Sequence, residues 1–277
     1  KPLAVAPKLE AVMLFFLFYL ATGAIAGVMA GLLGVGGGVI IVPLLAFAFS
    51  SQQMPESYIL HLALGTSLAS ILFTSLSSLR AHHARGAVHW AAVRAIAPGI
   101  LTGTFAGSYL AAQLSSRFLS IFFVSFLFYV AVQMLRNKRP HPGRELPGFA
   151  GMFGAGSLIG GVSSLVGIGG GSLSVPFLVW CNLPLHRAVG SSAAIGFPIA
   201  LAGASGYLLN GLAVTNLPGG SLGFIYLPAL AGIALASVLT APLGARLAHS
   251  LPVTRLKKVF ALFLVLMGTR MLIGLFC

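Results

Sequence analysis

Gly34-Val-Gly-Gly-Gly-Val-Ile-Ile-Val-Pro-Leu-Leu45 aligns without gaps on Gly167-Ile-Gly-Gly-Gly-Ser-Leu-Ser-Val-Pro-Phe-Leu178. In each copy three consecutive glycines separate a long apolar run from a short one. Such a triplet will not hold a helix in lipid: each glycine costs about 1 kcal/mol against alanine in a helix interior. The backbone groups it leaves unpaired are tolerated at membrane depth only where protein covers them or water reaches them. Pro43 and Pro176 then fall a few residues into the short segments, where a proline removes a helical N–H.

Outward from these clusters, the chain reads as ten apolar segments, at about 11–31, 37–50, 58–79, 91–112, 118–135, 148–166, 170–181, 187–209, 223–245 and 256–275. A membrane-spanning helix needs about 20 apolar residues; the second and seventh segments are shorter. Composition agrees with a membrane protein. The chain has 277 residues, 58% of them hydrophobic and 7% charged, where a soluble domain carries roughly 25% charged residues. This excludes an ordinary soluble enzyme, a nucleic-acid-binding domain and a disordered chain. The net charge is +13, with no Asp and three Glu, at positions 10, 56 and 145. Proton and cation pumps usually need carboxylates at membrane depth, and none of these three lies inside an apolar run. Cys181 and Cys277 are too few for a disulfide framework or a zinc site. The first apolar run is longer than the core of a signal peptide and is expected to belong to the mature protein.

Further landmarks repeat in the same order. Ala63-Leu-Gly-Thr-Ser67 matches Ala188-Val-Gly-Ser-Ser192, and Gly107-Ser-Tyr-Leu-Ala111 matches Gly244-Ala-Arg-Leu-Ala248. The expected organisation is a first repeat at 1–136, a cytoplasmic linker at 137–147 and a second repeat at 148–277. Five segments per half is an odd number, so the second half enters the membrane from the opposite side. The predicted fold is therefore an all-α polytopic membrane protein of two inverted repeats, each with a short Gly-broken segment. Positive charge tests this, since Lys and Arg collect on the cytoplasmic side. Ten alternating segments place Arg80, Arg85, Arg94, Arg136, Lys138, Arg139, Arg144, Arg187, Arg246, Arg255, Lys257 and Lys258 on one side. Lys1, Lys8 and Arg117 fall on the other. If the short segments left the crossing parity unchanged, the bases would divide almost evenly. Both termini are thus predicted outside the cytoplasm. Full crossings and hairpins that dip in and return have the same parity, and both stay open.

The paired broken segments are the best sequence pointer to a transport site. A helix that starts after such a loop aims free N–H groups and its positive dipole end at the loop, which suits an anion. Close helix packing on small residues is the alternative. The candidate substrate-binding residues are Gly36, Gly37, Gly38, Thr66, Ser67, Gly169, Gly170, Gly171, Ser172, Ser191 and Ser192. The hydroxyl pairs could donate to an oxyanion, or bond back to their own helices. His82, His83 and Arg85 lie on the predicted cytoplasmic loop and form a candidate vestibule for anions. His61 and His186 precede the two hydroxyl-bearing helices and are candidates for proton linkage, since histidine titrates near neutral pH. The histidine spacing matches no familiar metal site, and neither a metal nor a cofactor is expected.

The chain resembles the sulfite exporter TauE/SafE family over nearly its whole length. The resemblance rests on the doubled Gly-x-Gly-Gly-Gly…Pro motif, Gly65-Thr66-Ser67, Ser75-Leu-Ser-Ser78 and His82-His-Ala-Arg-Gly86. Trp90, Pro98, Gly99, Ala188-Val-Gly-Ser-Ser192 and Pro242-Leu-Gly-Ala-Arg246 complete it. Where the family usually has a small polar residue before the tryptophan, this chain has His89. The resemblance implies a secondary transporter or exporter of small anions, such as sulfite, sulfoacetate or related organosulfur anions, in the bacterial inner membrane. The alternatives are an anion channel or a membrane-embedded redox or enzyme subunit, for which no nucleophile–base pair or carboxylate dyad is present. The expected partners are a small anionic substrate and the lipid bilayer, with no nucleic acid; a homodimer is left open.

Overall fold

The computed structural model describes residues 6–34, 36–136, 143–250 and 253–275. Lys1, Cys277 and positions 137–142 of the linker lie outside the described residues. Ten helices account for the ten apolar segments: α1 (Ala6–Leu33), α2 (Gly38–Ser51), α3 (Ile59–His83), α4 (Trp90–Gln113) and α5 (Ser116–Arg136) in the first half. The second half holds α6 (Phe149–Val166), α7 (Gly171–Trp180), α8 (Leu185–Gly211), α9 (Leu227–Ser250) and α10 (Val253–Gly274). Seven of them are long and apolar enough to cross a membrane. The protein is a multi-pass, all-α membrane protein.

The short helices do not span. At 1.5 Å per residue α2 is about 21 Å long and α7 about 15 Å, against a hydrocarbon core of about 30 Å. Each instead turns back at its glycine loop. Near the end of α2, Gln52 Nε2 donates to the Tyr19 hydroxyl on α1 (2.6 Å). At the end of α7, the Trp180 carbonyl accepts from the Gly143 N–H (3.2 Å), so the helix returns to the side of the linker. The second and seventh segments are short apolar helices that run back from their glycine loops.

The two halves interleave. The main pairings are α1 on α9, α4 on α6 and α3 on α8, followed by α4 on α8, α3 on α9 and α5 on α10. Every pairing is reciprocal, because α1 and α6 hold the same place in their halves, as do α4 and α9. The α1–α9 and α4–α6 contacts are backbone to backbone. A Cβ on Gly23, Gly27 or Gly31 would run into α9, and one on Gly99, Gly103 or Gly107 into α6. Glycines every fourth residue line one helix face and let the backbones touch. The central helices α3 and α8 are the most buried of the long helices. Large apolar side chains such as Leu14, Leu17, Tyr109, Leu158, Leu235 and Leu239 point outward, as lipid requires.

Two boundaries differ from the sequence reading. Segment nine was expected from 223, but Ser221–Leu222 and Ile225–Tyr226 pair as a small antiparallel hairpin and the helix starts at Leu227. Segment three runs four residues further, through His83, which carries His82 out of the expected loop and into the packed interior.

Candidate functional site

The glycine loops meet in the middle of the helix bundle. Gly37 and Gly170, the residues preceding α2 and α7, both adopt left-handed backbone (φ 77° and 75°) and leave these helices without a side-chain cap. A Cβ on Gly36 would stand 2.8 Å from the Gly169 Cα, and one on Gly38 would strike the Gly167 carbonyl. The clusters therefore serve close packing and loop conformation together, and each presents its backbone to the other.

The matched hydroxyl pairs hold this arrangement. Ser67 on α3 donates to the Gly167 carbonyl (2.7 Å). Ser192 on α8 donates to the Gly34 carbonyl (2.9 Å) and shares a hydrogen bond with the Ser174 hydroxyl (2.8 Å). Each half thus ties down the glycine loop of the other. Thr66 and Ser191 act one residue earlier and in the same reciprocal way. Thr66 Oγ1 accepts from the Tyr226 N–H (2.9 Å) beside the start of α9, and Ser191 Oγ from the His89 N–H (2.8 Å) beside the start of α4. All four side chains are buried. The protons of the Ser67 and Ser192 hydroxyls face protein carbonyls, not open space.

Between the loops lies a narrow cleft. Gly34, Gly36 and Gly169 supply its backbone wall; Ser75, Ser78, Ser192, Ala193, Gly196 and Ala30 complete it. Its volume is about 10 Å³, at the lower limit of what one water needs. The protein is closed around it. Ser78 is buried, and its hydroxyl has no hydrogen-bond partner among the described residues. No carboxylate lines the cleft. Ser75, Ser78 and His82 share one face of α3, by the 3.6-residue period. The sequence reading passed over Ser75 and Ser78 as site residues, although both stand in the quoted Ser75-Leu-Ser-Ser78 motif. Their spacing on a helix that also carries Ser67 four turns' distance or less away was the available signal.

The repeat does not reproduce the lining of the cleft. In the repeat register that matches Gly65 with Gly190, the counterparts of Ala193 and Gly196 are Leu68 and Ile71, and those of Ser75 and Ser78 are Ala200 and Gly203. Leu68 packs toward Gly203, and Ile71 toward Gly36 and Gly38. Apolar side chains fill in one direction the space left open in the other.

The model of the sulfite exporter TauE/SafE family matches residues 19–271. The chain belongs to that family. A Haemophilus influenzae protein named a probable membrane transporter is 39% identical over 259 residues, covering 93% of this chain and 98% of the relative. A Methanocaldococcus jannaschii protein with a similar name is 26% identical over 96% of this chain and 99% of its own length. The Bacillus subtilis probable membrane transporter YunE is 29% identical over 71% of this chain and 79% of its own length. No solved structure matches. These names describe transporters, and this TauE/SafE chain is a membrane transporter, not an enzyme.

The remaining candidates of the TauE/SafE chain divide into struts and rim residues. His82 is buried and its Nε2–H donates to the Gly31 carbonyl of α1 (3.0 Å). Its repeat counterpart Tyr207 donates to the Ser164 carbonyl of α6 (3.0 Å). His82 is a strut between helices, away from the expected loop. His61 is also buried, with Nε2 at 3.2 and 3.1 Å from the Ala111 and Leu114 carbonyls at the end of α4. Its counterpart His186 is exposed. His83 and Arg85 are exposed; His83 accepts from Trp90 Nε1 (3.3 Å) and Arg85 donates to the Ala81 carbonyl (3.0 Å). Ser172 is buried and its hydroxyl has no partner among the described residues. Gly171 opens α7 and is buried. His89, the departure from the family pattern, caps α4: its Nδ1 accepts from the Ala92 N–H (3.2 Å), the task a small polar residue performs at an N-cap. Arg270, inside the last apolar run, lies over the Phe47 ring at 4.0 Å, a cation–π contact that offsets its cost.

Proposed function

We propose that this transporter carries small anions, with sulfite, sulfoacetate and related organosulfur anions as the leading class, and binds them in the cleft between the glycine loops. One observation carries this reading. Backbone of both glycine loops and a partnerless buried serine line one cleft with no carboxylate in its wall, and an uncapped helix starts directly after each loop. Helix N-termini favour negative charge, and Ser78 can donate without bringing a charge of its own. Gly36, Gly37, Gly38, Gly169, Gly170, Gly171, Ser172 and Ser192 form or support the wall. Ser67, Thr66 and Ser191 keep the loops and helix starts in register. The inner wall of α3 is more polar than its counterpart on α8, so Ser75 and Ser78 mark the path from the closed cleft toward the cytoplasm, while Leu68 and Ile71 block the other direction. Arg85 raises the anion concentration at the cytoplasmic rim, where His83 and His186 are also exposed, and His61 is the candidate for proton linkage.

The halves sit in the bacterial inner membrane in opposite senses, as repeats at 1–136 and 148–277 joined by a cytoplasmic linker at 137–147, with both termini outside. Calorimetric titration of purified protein with sulfite, sulfoacetate, thiosulfate, sulfate and carboxylates tests the substrate sign. Saturable binding of at least one sulfur oxyanion is expected. Tighter binding of a cation of similar size would refute the reading. Counterflow that saturates and exchanges separates this carrier from a channel.

A further inference from the structure

An open groove of about 670 Å³ lies elsewhere, between α3 and α9. Three arginines converge on it, Arg80 and Arg85 from the end of α3 and Arg246 from α9, and no carboxylate lines it. Below them the wall is apolar and outward-facing, with Phe73, Leu76 and Val238 all exposed. This groove does not lead to the central cleft. Phe73, Leu76, Arg80 and Ala84 occupy the face of α3 opposite to Ser75 and Ser78, so the body of the helix separates the two.

The fold does not require this charge. In the register that pairs Gly65 with Gly190 and Gly107 with Gly244, Arg80, Arg85 and Arg246 correspond to Ser205, Asn210 and Tyr109. The same pair of helix ends is therefore built without a single base in the other half. Nor is the groove accounted for by charge bias alone, which sets the side on which bases fall but does not gather three of them over one apolar trough.

We propose that the α3–α9 groove holds an anionic phospholipid, with its phosphate head under Arg80, Arg85 and Arg246 and an acyl chain along Phe73, Leu76 and Val238. The head needs a concentrated positive field and the chain an apolar wall open to the bilayer. The groove supplies both in that order along the helix axis, as basic pockets between transmembrane helices do. A free solute anion would match the arginines but leave the apolar trough uncovered.

Native mass spectrometry of delipidated protein tests this, with phosphatidylglycerol, phosphatidylcholine, glycerol phosphate and sulfite as probes. Retention of phosphatidylglycerol over phosphatidylcholine is expected, with no displacement by excess glycerol phosphate or sulfite. The R80Q/R246Q double variant should lose roughly thirtyfold in phosphatidylglycerol affinity, from two bases near a lipid head. The variant A81L narrows the groove and keeps every charge; it should lose the lipid as well, and it decides the matter if the double variant does not fold. Equal phosphatidylglycerol binding in either folded variant, equal retention of phosphatidylcholine, or displacement by sulfite or glycerol phosphate would overturn the proposal.

Discussion

Ser67 and Ser192 each satisfy a buried carbonyl of the opposite glycine loop, 100 and 158 residues away in sequence. Replacing either by alanine leaves that carbonyl without its partner, at a cost of about 1–3 kcal/mol. Ser67→Ala and Ser192→Ala should each lower the thermal unfolding temperature in detergent, and uptake should fall in proportion to lost folded protein. Ser78 differs, because its hydroxyl has no protein partner to lose. Ser78→Ala should leave the melt unchanged and weaken sulfite binding by roughly tenfold or more, the worth of one hydrogen bond to a charged group. Wild-type affinity in that variant would move the anion out of the cleft. Cys181 is buried beside the end of α7. Burial pushes its thiol pKa up, against an opposing pull from Arg144, so the unreactive protonated form prevails at neutral pH. Maleimide should modify Cys181 only after denaturation. The matched Thr66-Ser67 and Ser191-Ser192 pairs were visible in the sequence, but their acceptors were not. A hydroxyl reads the same whether it faces a ligand or a distant carbonyl.

At the scale of the element, the glycine loops decide where two helices begin. Gly37 and Gly170 have positive φ, and a Cβ would meet the Ala26 carbonyl at 2.8 Å in one case and the Ile199 side chain in the other. An L-residue in left-handed backbone costs roughly 1–2 kcal/mol, before any clash. Gly37→Ala and Gly170→Ala should therefore abolish uptake into proteoliposomes at matched incorporation. Gly154→Ala is the control: its Cβ would meet nothing within 4 Å, and uptake should be unchanged. Normal uptake in either loop variant would show that the cleft tolerates a different loop shape. The helical hairpins follow from length. A short apolar run after three glycines reads equally as a short crossing or a returning arm. The hydrogen bonds from Gln52 to Tyr19 and from Gly143 to Trp180 show that each short helix runs back toward the start of its half.

For the whole molecule, the interleaved pairing of α1 with α9 and α4 with α6 makes each half incomplete without the other. Gly103→Val would push a branched side chain into the Ser157 backbone. It should cost the cooperative melt of the entire protein, not of one half. Topology is tested by single cysteines introduced at His141 and Thr215. α8 has 27 residues, about 40 Å at helical rise, enough to carry the chain from one face of the membrane to the other. Impermeant thiol reagents should label the two positions from opposite sides, with position 141 reached from the cytoplasm; labelling of both from one side would end the inverted arrangement.

The membrane class, the ten segments and the doubled glycine motif were determined by sequence alone, because lipid imposes its demands locally. A run of apolar residues must be long enough, and a glycine triplet breaks a helix wherever it stands. Even the reciprocal bonds obey the repeat register, as the pairs His82–Gly31 and Tyr207–Ser164 show. What tertiary structure decided was which half met which, and therefore what each polar group faced. His82 became a strut, Ser67 and Ser192 became clamps on the opposite loops, and Ser78 was left facing the cleft. The cleft itself is a difference between two near-equivalent surfaces, Ala193 and Gly196 on one and Leu68 and Ile71 on the other. Such a difference acquires meaning only when both surfaces are packed around the same point.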